Sequence, residues 1–156
     1  MTCKERLQAS LDGEHVPYEL QQHSIAYTAQ QIAKSEHIPG KLVAKVVIVL
    51  ATGGPVVLAL PASTRVDFER VKEILHARDV RLADETEVAP LFPDCEVGAM
   101  PPFGNLYELP VVVDQQLAED EYIVFPVGTH TETMRLRYDD FARLVRPVVA
   151  DVARHP

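Results

Sequence analysis

The sequence has no tryptophan, only two cysteines and no apolar run long enough to cross a bilayer. Each shortage removes a class of protein. Cys3 and Cys95 are far apart and form no CxxC motif, so neither a disulfide framework nor a structural zinc is expected, and both read as free thiols. His15, His23, His37, His76, His130 and His155 fall into no HxxxH or HExxH spacing, so no metal is expected. GxGxxG and GxxxxGK[ST] are also missing, which leaves dinucleotide and P-loop sites unsupported. The opening MTCKERLQASLDGEH carries no signal-peptide core, and the expectation is a cytoplasmic protein with no membrane partner. Basic residues are few as well. Fifteen Lys and Arg against 23 Asp and Glu give a net charge of -8. That balance argues against a grip on nucleic acid maintained mainly by counterion release, while leaving room for local contact with one nucleotide end.

What is present suits one domain over residues 1–156. At 47% hydrophobic and 24% charged, the chain is long enough to bury roughly 70% of its unfolded surface. In chain order, Lys4 to Leu11 reads as a short helix and Tyr18 to His23 as a strand. Thr28 with Gln31 fits a capping box ahead of a helix that closes before Pro39-Gly40. Lys41 to Leu50, the TGGP turn and Val56 to Leu60 predict a hairpin. Asp67 caps an amphipathic helix carrying Phe68, Val71, Ile74 and Leu75; a brief strand, Val80 to Ala83, and a helix, Asp84 to Leu91, follow. Val111 to Asp114, Tyr122 to Val127 and Thr133 to Tyr138 read as strands. The last helix starts at Asp139 and buries Phe141, Leu144, Val145, Val148 and Val149, with Pro147 kinking it or starting a second one. Helices and strands without strict alternation predict an α+β fold.

Three features carry chemical interest. Lys45 interrupts the apolar run KLVAKVVIVL and shares a strand face with Val43, Val47 and Val49. A buried ammonium needs an anion, a carbonyl or a polar pocket, so Lys45 either serves a site, snorkels to solvent, or pairs with a structural carboxylate. The stretch FPDCEVGAMPPFGNLYELP holds four prolines and two glycines in 19 residues, too many for a regular helix or central strand. Ordered loops of that length are usually functional. The turn Gly128-Thr129-His130 is the third. Glycine lets backbone N–H groups approach a ligand, proline stiffens a loop and lysine brings positive charge, a combination suited to an anionic or carbonyl-bearing ligand.

Taken together, YELQQH with His23, Thr28-Ala29 and Ala33, AKVVIV with Lys45, GAMPPFG with a GxxxP element at Gly98 and Pro102, VVVD ending at Asp114, and the late GTH turn resemble the YbaK/prolyl-tRNA synthetase-associated domains. These are trans-editing aminoacyl-tRNA deacylases, and the resemblance runs from about Tyr18 to Val145. It implies one domain with a mixed, partly closed β-sheet flanked by helices. It also implies hydrolysis of the ester between a mischarged amino acid and the 3'-terminal adenosine of tRNA, by substrate-assisted water attack without cofactor. Lys45 would contact the substrate carbonyl or the terminal phosphate. Gly98 and the amides after it would position ester and water, with Pro101 and Pro102 fixing the loop.

Around this pair, Gly104, Gly128, Thr129 and His130 are expected to line the substrate site. Phe103 either stacks on adenine, lines the amino-acid pocket or anchors the core, and Asp114 is either a cap or a pocket acid. His130 either orients the ribose, acts as general base or is a polar turn residue. The acidic balance points to recruitment through a synthetase or an elongation factor. Two other readings stand beside this one: a non-catalytic module binding an aminoacyl or nucleotide ligand, and a hydrolase of small esters that does not use tRNA.

Overall fold

The Val- and Ile-rich run and the turn after it form the centre of the molecule, for which a computed structural model describes residues 1–22 and 43–155. Strand β2, Ala44–Ala51, pairs antiparallel along its whole length with β3, Gly54–Pro61, from Ala44 opposite Pro61 to Ala51 opposite Gly54. The turn needs φ +127° at Gly54, which glycine supplies without strain. Strand β5, Val80–Leu82, pairs with β2 only over Val49 to Ala51. On the other side, β6, Val111–Asp114, runs parallel to β3, and β9, Val148–Ala150, parallel to β6. The sheet order is β5-β2-β3-β6-β9.

A second sheet, β1-β8-β7, joins Glu19–Gln22, Glu132–Arg137 and Tyr122–Pro126 antiparallel. A single parallel bridge, Val43 to Val124, links it to the first. A two-stranded ribbon pairs β4, Arg65–Val66, with β10, Ala153–Arg154. The fold is thus α+β with a mixed sheet flanked by helices, as expected. The expectation of a partly closed sheet is corrected: the described strands form open sheets joined at one bridge.

Alternation along β2 decides what each face of the large sheet meets. Val46, Ile48 and Leu50, with Val57 and Val111, pack under Val88, Phe92 and Met100. Val47 and Val49, with Leu58, Leu60 and Val112, pack under Val66 and the helix α2, Phe68–Leu75. Asp67 starts that helix by accepting the Arg70 N–H at 3.3 Å, and His76 stops it at φ +52°. Helix α1, Cys3–Gly13, has a capping box between Thr2 and Glu5 and buries Leu7 and Leu11 beside Phe103, Phe125 and Phe141. Helix α3 covers only Glu85–Val88 before a 3₁₀ turn, and α4 is the single turn Gln115–Ala118.

The last helix, α5, Tyr138–Val145, ends earlier than its periodicity suggests. Arg146 caps it in the left-handed conformation at φ +53°, its N–H still donating to the Ala142 carbonyl, and Pro147, with no N–H to donate, cannot continue the helix. The chain then becomes strand β9, and Val148 and Val149, expected in the core, are 54% and 51% exposed.

Gly104 occupies a tight point of the core. A Cβ there would lie 2.7 Å from the Leu109 carbonyl oxygen and from Val111 Cγ2, and 3.1 Å from Val57 Cγ2. Gly104→Ala is expected to cost about 3 kcal/mol by overpacking. Urea unfolding checks this, and an unchanged midpoint would contradict it.

Candidate functional site

The proline- and glycine-rich loop docks onto the turn that follows β7. The Glu96 N–H donates to the Gly128 carbonyl at 2.9 Å, and the Gly128 N–H donates to the Ala99 carbonyl at 2.7 Å. These two bonds clamp the loop and hold Gly98 between them. Gly98 is exposed and adopts φ +89°, and its missing Cβ would lie 3.4 Å from His130 Cε1. Its own N–H is engaged by the Met100 sulfur at 3.1 Å. A thioether is a weak acceptor, so this amide gives up its partner cheaply to a better one. Loop and turn, separated by about thirty residues of sequence, thus meet at Gly98 and His130.

His130 is largely covered, with its Nε2 3.6 Å from Glu96 Oε2. Thr129 is half-buried, its Oγ1 3.4 Å from Thr131 Oγ1. Gly128 must be glycine for two reasons: φ is +99°, and a Cβ would stand 2.6 Å from Cys3 Cβ. The start of α1 therefore packs directly behind the turn.

The rest of the loop turns inward. Pro101, Pro102, Phe103 and Gly104 are all buried. The Phe103 ring lies 5.4 Å from both Phe125 and Phe141 and has no exposed surface. Stacking on a base would require pulling it out of the core, so its place in this structure is that of an anchor. The two prolines and Gly104 hold the loop from below in the same way.

Lys45 is half-buried near the start of β2, opposite Leu60, and has no ion-pair or hydrogen-bond partner among the described residues. Burial lowers its pKa, and the nearby Arg65 lowers it further. By alternation it belongs to the face of Val47 and Val49, whereas Met100 beside Gly98 packs on the opposite face. No described contact joins Lys45 to the Gly98–His130 pair. β5 pairs with β2 only from Val49 onward, and at the start of β2, beside Lys45, it is β7 that approaches, through the Val43–Val124 bridge. The segment before Val43, with His23, Thr28, Ala29 and Ala33, lies outside the described residues.

Asp114 is fully buried and structural. It accepts the Gln116 N–H at 3.0 Å as a helix cap, and the Val152 and Ala153 N–H groups at 3.0 and 3.1 Å. The pocket-acid alternative is dropped on those bonds.

The free-thiol expectation is also corrected: Cys3 and Cys95 form a disulfide, with Cα atoms 5.1 Å apart, between α1 and the loop. Around it, Asp94 accepts from the Tyr107 hydroxyl at 2.7 Å and from Arg6 Nε at 2.8 Å. Burial raises the Asp94 pKa, but these two donors outweigh it and the net direction is down; burial and Asp94 push Tyr107 up. Among the described residues, the sulfurs of Cys3 and Cys95 and the Asp94 carboxylate lie within 4.8 Å of one another, but the disulfide consumes both thiolates. Nothing local in the sequence signals this cluster, since only the return of α1 to the loop creates it.

Two clefts are relevant. One of about 440 Å³ is bounded by Thr2, Cys3, Asp94, Cys95, Gly128 and Thr129, among others, so it adjoins the loop and turn. A larger one, about 570 Å³, sits at the hairpin turn near Thr52 and Arg78, at the far end of β2 from Lys45, and holds none of the candidate residues. No described helix is long and apolar enough to cross a membrane.

Among solved structures, the chain is similar to a hypothetical protein, APE2540, at 22% identity and a TM-score of 0.86, covering 96% of this chain and 99% of that one. It is also similar to a protein described as a candidate trans-editing enzyme for prolyl tRNA synthetase, at 20% identity and a TM-score of 0.84, covering 99% and 98%. No curated protein matches the sequence. Residues 23–144 match the family described as the aminoacyl-tRNA editing domain, a span that includes β2, the Gly98 loop and the Gly128 turn. On this match, over most of its length, the chain belongs to the aminoacyl-tRNA editing domain family.

Proposed function

We propose that this protein hydrolyses the ester linking a mischarged amino acid to the 3'-terminal adenosine of tRNA. The observation that carries the reading is the clamped loop: an exposed glycine whose N–H is held, among the described residues, by a thioether, set against a histidine, in an editing-domain chain. In the reaction, a water oxygen bonds to the ester carbonyl carbon and negative charge collects on the carbonyl oxygen. The carbon–oxygen bond to the ribose then breaks, the ribose oxygen takes one of the water's protons, the other passes to solvent, and the amino acid leaves as its carboxylate.

The Gly98 amide would turn from the Met100 sulfur to the oxyanion, an interaction worth a few kcal/mol when the donor is preorganised. Lys45 would hold the carbonyl or the terminal phosphate. An activated ester needs less assistance than an amide, so a water held by the backbone and by the vicinal ribose hydroxyl suffices. His130, kept beside Gly98, would orient the ribose. The protein would act in the cytoplasm on acceptor ends delivered by a synthetase or an elongation factor.

The test is amino-acid release from a panel of mischarged tRNAs, including cysteine and alanine on proline tRNA, beside the same amino acids as small free esters. Release from tRNA well above the small-ester rate is expected. Equal rates for both would replace the reading with that of a small-ester hydrolase, and stability of every ester would remove it.

A further inference from the structure

Most cations of this acidic chain are taken by carboxylates. Lys4 pairs with Glu132, Arg6 with Asp94, Arg81 with Glu87, Arg135 with Glu19, Arg137 with Glu121, and Arg143 with Glu14 and Asp140. Among the described residues Lys45, Arg65, Arg78, Arg146 and Arg154 stand outside such pairs, and three of the five belong to one corner. In the β4–β10 ribbon, Arg65 stands directly opposite Arg154, and both are exposed while their neighbours Val66 and Ala153 are buried. Facing cross-strand residues have Cβ atoms roughly 5 Å apart, and like charges so placed repel. Neither arginine has a carboxylate partner among the described residues. The acids nearest in sequence, Asp67 and Asp151, are both turned to Arg70, at 3.7 and 3.2 Å.

Lys45 belongs to the same corner. It pairs across the hairpin with Leu60, next to Pro61 where β3 ends. The Thr64 N–H and hydroxyl both bond back to the Pro61 carbonyl, at 3.0 and 2.7 Å, so the chain turns tightly there and delivers Arg65 close by. Arg65 is the charge felt most by Lys45. Arg65 thus stands between Lys45 and Arg154, and the acids flanking this corner, Asp67 and Asp151, are engaged by Arg70, in a molecule whose net charge is -8.

We propose that Lys45, Arg65 and Arg154 form a subsite for the phosphodiester backbone of a nucleic-acid strand, the two arginines holding the phosphates that precede the nucleotide at Lys45. The proposal rests on the tRNA reading above and names how the strand is gripped. A repulsive arginine pair is relieved when a phosphate bridges it, and guanidinium groups take phosphate oxygens in bidentate fashion. The acidic remainder of the surface repels the rest of the polyanion, so binding concentrates at this corner and stays modest.

The experiment is fluorescence anisotropy with a deacylated tRNA acceptor-stem hairpin bearing its single-stranded 3' end, titrated across a salt series. Wild type is compared with Arg65→Ala/Arg154→Ala, with the charge-keeping Arg65→Lys/Arg154→Lys, and with Arg78→Ala at the far end of the hairpin. The double alanine variant should lose at least about tenfold in affinity, and its log–log salt slope should shrink by roughly 1.5, close to two phosphate contacts. The lysine pair should retain the greater part of the binding, and Arg78→Ala all of it. An unchanged affinity and slope in the double alanine variant, or no binding by wild type at low salt, overturns the proposal. Wild-type binding that weakens as stated, in a protein that releases no amino acid, supports the subsite and sinks the deacylase reading alone.

Discussion

Lys45→Met is expected to lower amino-acid release from mischarged tRNA by at least about 100-fold while leaving the protein as stable as wild type or more so. The first half follows from the role assigned to the ammonium, since one charge aimed at a developing oxyanion or a bound phosphate supplies a few kcal/mol. The second half follows from its surroundings. Burial and Arg65 both disfavour the charged form, and no described carboxylate compensates. The folded pKa therefore lies below the unfolded one, so at neutral pH the charged lysine costs stability. That cost fades as pH rises through the folded pKa of Lys45 toward the ordinary lysine value. Melts of the two proteins should accordingly converge as the pH climbs into that window. Methionine keeps the aliphatic bulk of the stem, so packing loss does not mask the effect. A stable Lys45→Met protein that hydrolyses at the wild-type rate would remove Lys45 from the mechanism.

The second large effect concerns the disulfide. Cys3 and Cys95 are separated by 92 residues, so their bond closes a long loop. Chain entropy for a loop of that length gives about 4.6 kcal/mol, which for a chain of this size corresponds to a melting-temperature fall of roughly 10–18 °C on reduction or in Cys95→Ser. Thiol titration of the unreduced folded protein should find no reactive cysteine. After reduction, the Lys4–Glu132 and Arg6–Asp94 pairs still tie α1 to β8 and the loop, so the fold should survive at lower temperature. Identical melting with and without reductant would show that the cysteines are not bonded in solution.

The sequence was informative wherever local chemistry decides structure. The TGGP turn between two apolar runs became the β2–β3 hairpin, Asp67 capped its helix, and Val111 to Asp114 became a strand at those same bounds. The α+β class followed from element order alone. What it concealed depends on distance along the chain. A phenylalanine in a glycine-rich loop reads equally as ligand platform or core anchor, and only the rings of Phe125 and Phe141 settle it. Val148 and Val149 fit a helical stripe until Pro147 forces the backbone out of it. Cys3 and Cys95 belong to segments that meet only because α1 folds behind the Gly128 turn. The meeting of Gly98 with His130 could be expected from the family resemblance, whereas the cross-strand pair Arg65 and Arg154 required the pairing register.

The measurement that tests the central claim most directly is the first-order loss of amino acid from tRNA carrying the wrong residue, with wild type, Lys45→Met and no protein run in parallel at pH 7. The account predicts that at least one mischarged ester disappears far faster with wild type than without protein, while Lys45→Met tracks the spontaneous rate. Curves that coincide for all three samples, across every mischarged tRNA in the panel and with candidate synthetases added, would contradict it.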